Sequence, residues 1–243
     1  MNRELPVVRK AVSVATLELP PKPEDGSFSE EEIVRAASSL CMQSEGHIVL
    51  IGGQTSLPSI SGAKKYRKRS AEIDLVADDT GMYSFLVEDV LYYVTDGDYL
   101  LFSRGGMPCS VFSGDVRGFP VPFIMDDTET TDTEYGRVVH ASPEMTAAMK
   151  IRRGAMKGHQ YAKDALDIFS LAMSRIKAGE ELDTEIIADC VSFYACDKCT
   201  TGSYMGCVSE NRRMLQHVPA ADREYLTLVS LELENSLRCR YHE

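Results

Sequence analysis

The segment from His47 to Asp79, HIVLIGGQTSLPSISGAKKYRKRSAEIDLVADD, constrains the fold more than any other part of the chain. It opens on an apolar run, His47 to Ile51, long enough for one buried strand. Gly52 and Gly53 follow at once, then Gln54, Thr55 and Ser56. A glycine pair after a strand permits a tight turn and lets an anionic group approach the backbone amides. Beyond a polar, basic linker, Ala71, Ile73, Leu75 and Ala77 alternate with Glu72, Asp74 and Val76. That period of two predicts a strand with Glu72 and Asp74 side by side on one face. Two carboxylates so placed repel one another, and a divalent cation between them is the usual remedy, since hard cations take carboxylate oxygens. A turn suited to phosphates and a carboxylate pair suited to magnesium together point to nucleotide chemistry.

A length of 243 residues accommodates one large or two small domains with a proper core. Hydrophobic content of 44% and charged content of 26% are those of an ordinary globular protein. A formal charge of −11 argues against indiscriminate coating of nucleic acid, which is driven by phosphate neutralisation, but leaves room for a local basic groove. The first residues lack the apolar core of a secretory signal, and no stretch approaches a membrane span. Seven cysteines is an odd number, so a cytoplasmic location with reduced thiols is the expectation.

Three regions follow from the punctuation of the chain: an N-terminal arm over 1–28, a mixed α/β unit over 29–141 and an all-helical unit over 142–243. The arm is proline-rich and ends in PPKPEDG. Ser29 with Glu32 forms a capping box for a helix carrying Ile33, Ala37, Leu40 and Cys41, which ends near Gly46. Asp78-Asp79-Thr80 is a further helix start, broken by Asp96-Gly97-Asp98. Short strands are expected over Tyr99–Ser103, Cys109–Ser113 and Phe119–Met125, separated by RGGMP and GDVRG turns. The acidic stretch Asp126–Gly136 reads as an exposed loop and Arg137–His140 as a brief strand. Ser142-Pro143-Glu144 is a strong helix start. Helices are expected near 143–157, 162–177, 184–195 and 220–239, with a Cys-containing loop between the last two.

The helical unit begins SPEMTAAMKIRRGAMKGHQYAKDALDIFSLA. Lys150 lies two turns into its helix, and Lys163, Asp164 and Asp167 can share one face of the next. Singly, each has a plain structural reading. Lys150 can snorkel from an amphipathic helix, Asp164 and Asp167 suit a helix N-terminus, and Glu72 and Asp74 can form the wet face of an edge strand. Cys196-x-x-Cys199 with Cys190 and Cys207 invites a zinc reading, but the irregular spacing favours ordinary thiols. His140 and His159 are read as structural.

Taken in order, strand, Gly52-Gly53, helix and a strand bearing Glu72-x-Asp74 resemble the nucleotidyltransferase superfamily built on the DNA polymerase β-type palm. Ser142-Pro143-Glu144, then Lys150, then Lys163-Asp164-x-x-Asp167 narrow the resemblance to the abortive-infection (AbiEii-like) toxins. It covers roughly residues 47–171, and Glu72 departs from it, because the family has Asp there. The resemblance implies a mixed-sheet palm followed by a helical domain. It implies Mg2+, two ions, on Glu72 and Asp74, and NTP as substrate held at Gly52, Gly53, Gln54, Thr55, Arg69, Lys150, Lys163 and Asp164, with Asp167 completing the active site. Lys64, Lys65, Arg67, Lys68 and Arg69 lie near enough in sequence to grip triphosphate or RNA. Transfer to an RNA such as a tRNA 3′ end and a cognate antitoxin as partner are further implications. A third metal-ligating carboxylate is expected from a later strand, where Pro122 stands, with Asp115 and Asp126 as the nearby substitutes. Two alternatives remain open: a degenerate palm that binds nucleotide or protein, and a transferase whose acceptor is a protein hydroxyl.

Overall fold

The computed structural model describes residues 28–57, 60, 66, 72–82, 94–95, 99–104, 106–193 and 199–241. The N-terminal arm, the basic linker apart from Tyr66, Cys196 and most of the helix expected after Asp78 lie outside them. Helix α1, Glu30–Gln43, starts at the expected capping box: the Ser29 hydroxyl accepts from the Glu32 amide and the Glu32 carboxylate accepts from the Ser29 amide. It ends at Ser44, and Glu45 and Gly46 then turn the chain with positive φ.

The α/β class expected from the sequence is what the chain adopts, with a mixed sheet ordered β3 (Val94–Thr95), β4 (Tyr99–Arg104), β5 (Met107–Phe112), β2 (Ile73–Ala77), β1 (Ile48–Ile51), β9 (Gly136–Ala141) and β8 (Thr128–Thr133). Strands β1 and β2 pair antiparallel at its centre. β5 runs parallel to β2, and β9 parallel to β1. A separate two-stranded hairpin joins β6 (Asp115–Val116) to β7 (Phe119–Pro120).

The period of two decides which side chain meets which layer. Ile48, Leu50, Ile73, Leu75, Ala77, Cys109 and Val111 pack beneath α1. Val49, Ile51 and Val76 face the other way, into a cluster with helical residues such as Met145, Ile151, Phe169 and Leu237. Asp74 shares the parity of Val76 and so points toward the helices rather than α1. The apolar cluster crosses residue 141 without a break, so the helical unit rests directly on the sheet.

Helix α2, Val121–Asp126, precedes β8. After β9 come α3 (Pro143–Lys157), α4 (Ala162–Ala178), α5 (Thr184–Phe193), α6 (Thr201–Met214) and α7 (Ala220–Tyr241). α3 is capped by the Ser142 hydroxyl as expected, packs against α4, α5 and α6, and is buried along most of its length. No helix among the described residues is long and apolar enough to cross a membrane.

Three expectations are corrected. The run Phe119–Met125 is two strand residues followed by α2, because Val121-Pro122 opens a helical turn that buries Val121 and Ile124. The acidic stretch expected as a loop contains β8. An edge strand needs little apolar surface, and here β-branched threonines complete a ladder with β9, with Thr131 Oγ1 donating to the Ile60 carbonyl at 2.9 Å. The expected Cys-containing loop contains α6. It starts at a Thr200–Ser203 capping box and buries Tyr204, Cys207, Val208 and Asn211 at helical spacing, a stripe too polar to stand out in the sequence.

Candidate functional site

At the end of β1 the chain turns through Gly52–Gln54, and Gly52 takes φ +82°. A Cβ on Gly52 would lie 2.6 Å from Asp74 Oδ2, so glycine is needed both for the backbone conformation and for the approach of that carboxylate. Because β1 and β2 are antiparallel, with Ile51 opposite Asp74, the turn and the acidic residues lie at the same end of these two central strands. The turn is braced from within. Thr55 Oγ1 donates to the Gly52 carbonyl at 2.9 Å, and the Gln54 amide donates to the Glu72 carbonyl. Ser56 Oγ lies 2.9 Å from the Gly53 carbonyl and 3.0 Å from Asp167 Oδ1, tying the turn to α4.

Gly52, Gly53, Gln54, Glu72, Asp74, Lys150, Lys163, Asp164 and Asp167, singled out in sequence, line one small polar cleft between the end of the central strands, α3 and α4. Thr55 shapes the turn from behind rather than lining the cleft. Arg69, Lys64, Lys65, Arg67 and Lys68 lie outside the described residues. Tyr66, in their midst, donates to Asp222 Oδ2 on α7 at 2.8 Å.

Two arginines join the cleft that sequence reasoning did not select, Arg117 and Arg153. Arg153 lies three residues after Lys150 on α3, a same-face spacing that would have flagged it. Arg117 stands in the GDVRG turn, where an arginine between hairpin strands is the only hint. The cleft thus sets four carboxylates, Glu72, Asp74, Asp164 and Asp167, against four cations, Arg117, Lys150, Arg153 and Lys163.

Part of this charge is locked in a buried network. Lys150 Nζ donates to Asp167 Oδ2 at 2.7 Å and lies 3.5 Å from Asp164 Oδ1. Arg153 grips Asp164 through Nε, at 2.8 Å, and through Nη2. The lysine side chain is 5% exposed and the two aspartates 1% and 0%. Burial at that level requires mutual compensation, so Lys150, Asp164 and Asp167 hold α3 to α4 as well as facing the cleft.

Asp74 is different. Among the described residues its carboxylate has no hydrogen-bond or ion-pair partner, its backbone alone being paired in the sheet. Its carboxyl pKa is raised, first by burial and then by Glu72, against the opposing pull of Arg117, Lys150 and Arg153. A half-buried carboxylate beside a second one is costly to ionise without a compensating positive charge.

The third carboxylate does not appear where it was expected. Pro122 and Asp126 line a different cavity with Asp78 and Asp79, and Asp115 accepts the Gly118 amide in its own hairpin. On the strand next to Asp74 the paired residue is Ser110. Among the described residues no set of three or more His, Cys, Asp or Glu is arranged to hold a metal ion. That includes Cys190, Cys199 and Cys207. Burial pushes the Cys190 thiol up to about 11 and the Cys207 thiol to about 12, which keeps both protonated. His140 is structural, its ring 3.0 Å from Thr131 Oγ1 and buried, and burial lowers its pKa.

No protein-family model and no curated protein matches the chain.

Proposed function

We propose that the protein is a magnesium-dependent nucleotidyltransferase that moves an NMP from an NTP to a hydroxyl of an RNA acceptor, with a tRNA 3′ end as the leading candidate. On this reading the mixed sheet is a nucleotidyltransferase palm and the cleft its active site. The observation that carries it is convergence: the Gly52 turn, the Glu72–Asp74 pair and basic side chains from three other elements meet at one end of the central strands. None of these is needed there to fill the core.

The residues present fit one magnesium ion. Mg2+ in nucleotide sites is commonly held by one or two carboxylates and completed by phosphate oxygens and water. Glu72 and Asp74 are such a pair, and the unpartnered, repelled carboxylate of Asp74 is what a divalent cation relieves. Bound there, the ion would supply Lewis-acid stabilisation of charge on the reacting phosphoryl group. A second ion lacks a carboxylate of its own among the described residues.

The chain's own groups account for the rest of the chemistry. Amides of the Gly52–Gln54 turn, which lines the cleft, would donate to phosphate oxygens. Lys163, exposed at the start of α4, adds a cation at the mouth. Lys150 and Arg153, paired with Asp167 and Asp164, hold α3 and α4 in place beside the turn and add no net positive charge of their own. Toxin-like action restrained by an antitoxin belongs to the same proposal, and is supported by the sequence resemblance alone.

Ser110 opposite Asp74 favours a second reading, a palm that binds nucleotide without transferring it. Incubation with each α-labelled NTP, magnesium and total RNA separates the two. Label on a small RNA, reduced in Asp74→Ala to below roughly 1% of wild type, is expected for a transferase. Label on protein moves the acceptor. A nucleotide-dependent rise in melting temperature with no label anywhere establishes the binding palm.

A further inference from the structure

Resting on the nucleotide reading above, we propose that Arg117 is a phosphate-binding residue of the cleft, delivered there by a strained hairpin turn. The turn joins β6 to β7 through Arg117 and Gly118 alone, with φ +59° and +84°. Two-residue hairpin turns with both φ positive belong to glycine, asparagine and aspartate, because other side chains crowd the backbone in this region. Arginine at the first position works against local propensity, and strain of this kind is retained where function demands the side chain.

The turn is also supported from beneath. The Asp115 carboxylate accepts the Gly118 amide. A Cβ on Gly118 would stand 2.7 Å from Arg152 Nη1, so the glycine lies directly against that guanidinium. Arg152 is itself fully buried, 4.8 Å from the Phe119 ring centroid and 5.9 Å from that of Tyr204, with Nη2 donating to the Val191 carbonyl at 2.6 Å. Consecutive arginines of α3 thus serve two places: Arg152 seats the hairpin and Arg153 lines the cleft.

At the tip, the Arg117 guanidinium has no hydrogen-bond or ion-pair partner among the described residues. Lys150 and Arg153 spend their charge on Asp164 and Asp167. The nearby charges that act on Arg117 at longer range are Arg153, which repels it, and Asp74 and Asp164, which attract it. A half-buried guanidinium and a half-buried carboxylate, neither with a side-chain partner among the described residues, stand together in the cleft with charges suited to an anion and its cation. The phosphate chain of a magnesium-bound nucleoside triphosphate fits both, since a guanidinium fork matches phosphate oxygens bidentately.

The test measures binding of inorganic tripolyphosphate and of NTP, each with magnesium, by titration calorimetry, together with melting temperature. Arg117→Asn suits the left-handed backbone, so it is expected to melt at or above the wild-type temperature while binding both ligands at least tenfold more weakly. Arg117→Lys, which keeps charge but loses the fork, should fall between. Gly118→Ala, which removes no charge but drives the turn off Arg152, should weaken both ligands as Arg117→Asn does. Unchanged tripolyphosphate affinity in Arg117→Asn overturns the role of Arg117 while leaving the nucleotide reading intact. Failure of wild type to bind either ligand overturns both. An Arg117→Asn variant that melts well below wild type would show a structural arginine and also refute the proposal.

Discussion

Replacing Lys150 by alanine gives the sharpest test of how the cleft is built. The ammonium sits 2.7 Å from Asp167 and 3.5 Å from Asp164, with all three side chains at most 5% exposed. Removing one partner of such a pair leaves an uncompensated buried carboxylate, at a cost of about 3–5 kcal/mol. Asp164 keeps its Arg153 grip and Asp167 keeps the Ser56 hydroxyl at 3.0 Å, which places the expectation at the lower end, about 3 kcal/mol. For a chain of this size that corresponds to a fall in melting temperature of roughly 6–12 °C. Urea unfolding with an unchanged slope is the assay, run on Lys150→Ala, Asp167→Asn and the double variant. The double variant should cost less than the sum of the singles, since neutralising Asp167 removes the orphaned charge. A loss below about 1 kcal/mol in Lys150→Ala, with additive singles, would show that the pair is solvated and carries no structural role. The activity of Lys150→Ala is interpretable only beside this measurement, because the phosphate contact that the resemblance implies for the lysine and its buried pairing with Asp167 are lost together.

Two further outcomes follow from the same electrostatics. Asp74→Asn should raise the melting temperature at pH 7 while abolishing transfer. Burial and Glu72 raise the Asp74 pKa, so ionisation costs the folded state stability as pH climbs past the ordinary carboxylate range, and asparagine avoids that cost. The gain should shrink as pH falls through the ordinary carboxylate range and vanish below about pH 3, where the wild-type side chain is protonated in both states, and a variant less stable than wild type at pH 7 would refute it. Alkylation at pH 8 should reach the exposed Cys239 at least about 100-fold faster than Cys41, Cys109, Cys190 or Cys207, whose buried thiols are held protonated. Early labelling of Cys190 or Cys207 in the native protein, read by peptide mass spectrometry, would contradict their burial.

Local chemistry determined much of this protein from the chain alone. The Ser29–Glu32 box starts α1, the Ser142-Pro143-Glu144 cap starts α3, and alternation over Ile73–Ala77 makes β2, because each signal is complete within a few residues. Parity along β2 also placed Asp74 opposite the core-facing Leu75. Weaker local signals misled. The threonine-rich β8 draws its stability from pairing with β9, and α6 from burying a sparse stripe against α3 and α7, neither of which is visible in a short window.

The site divides along the same line. Glycines, the acidic pair, Lys150 and the α4 acids were legible because their types and spacings are chemically restrictive. That they form one cleft, that Arg117 and Arg153 complete it, that Lys150 is committed to Asp167, and that Ser110 rather than a carboxylate stands beside Asp74 are contacts between segments far apart in the chain. Only the seating of the helices on one face of the sheet, driven by burial of Val49, Ile51 and Val76, brings those segments within reach of one another.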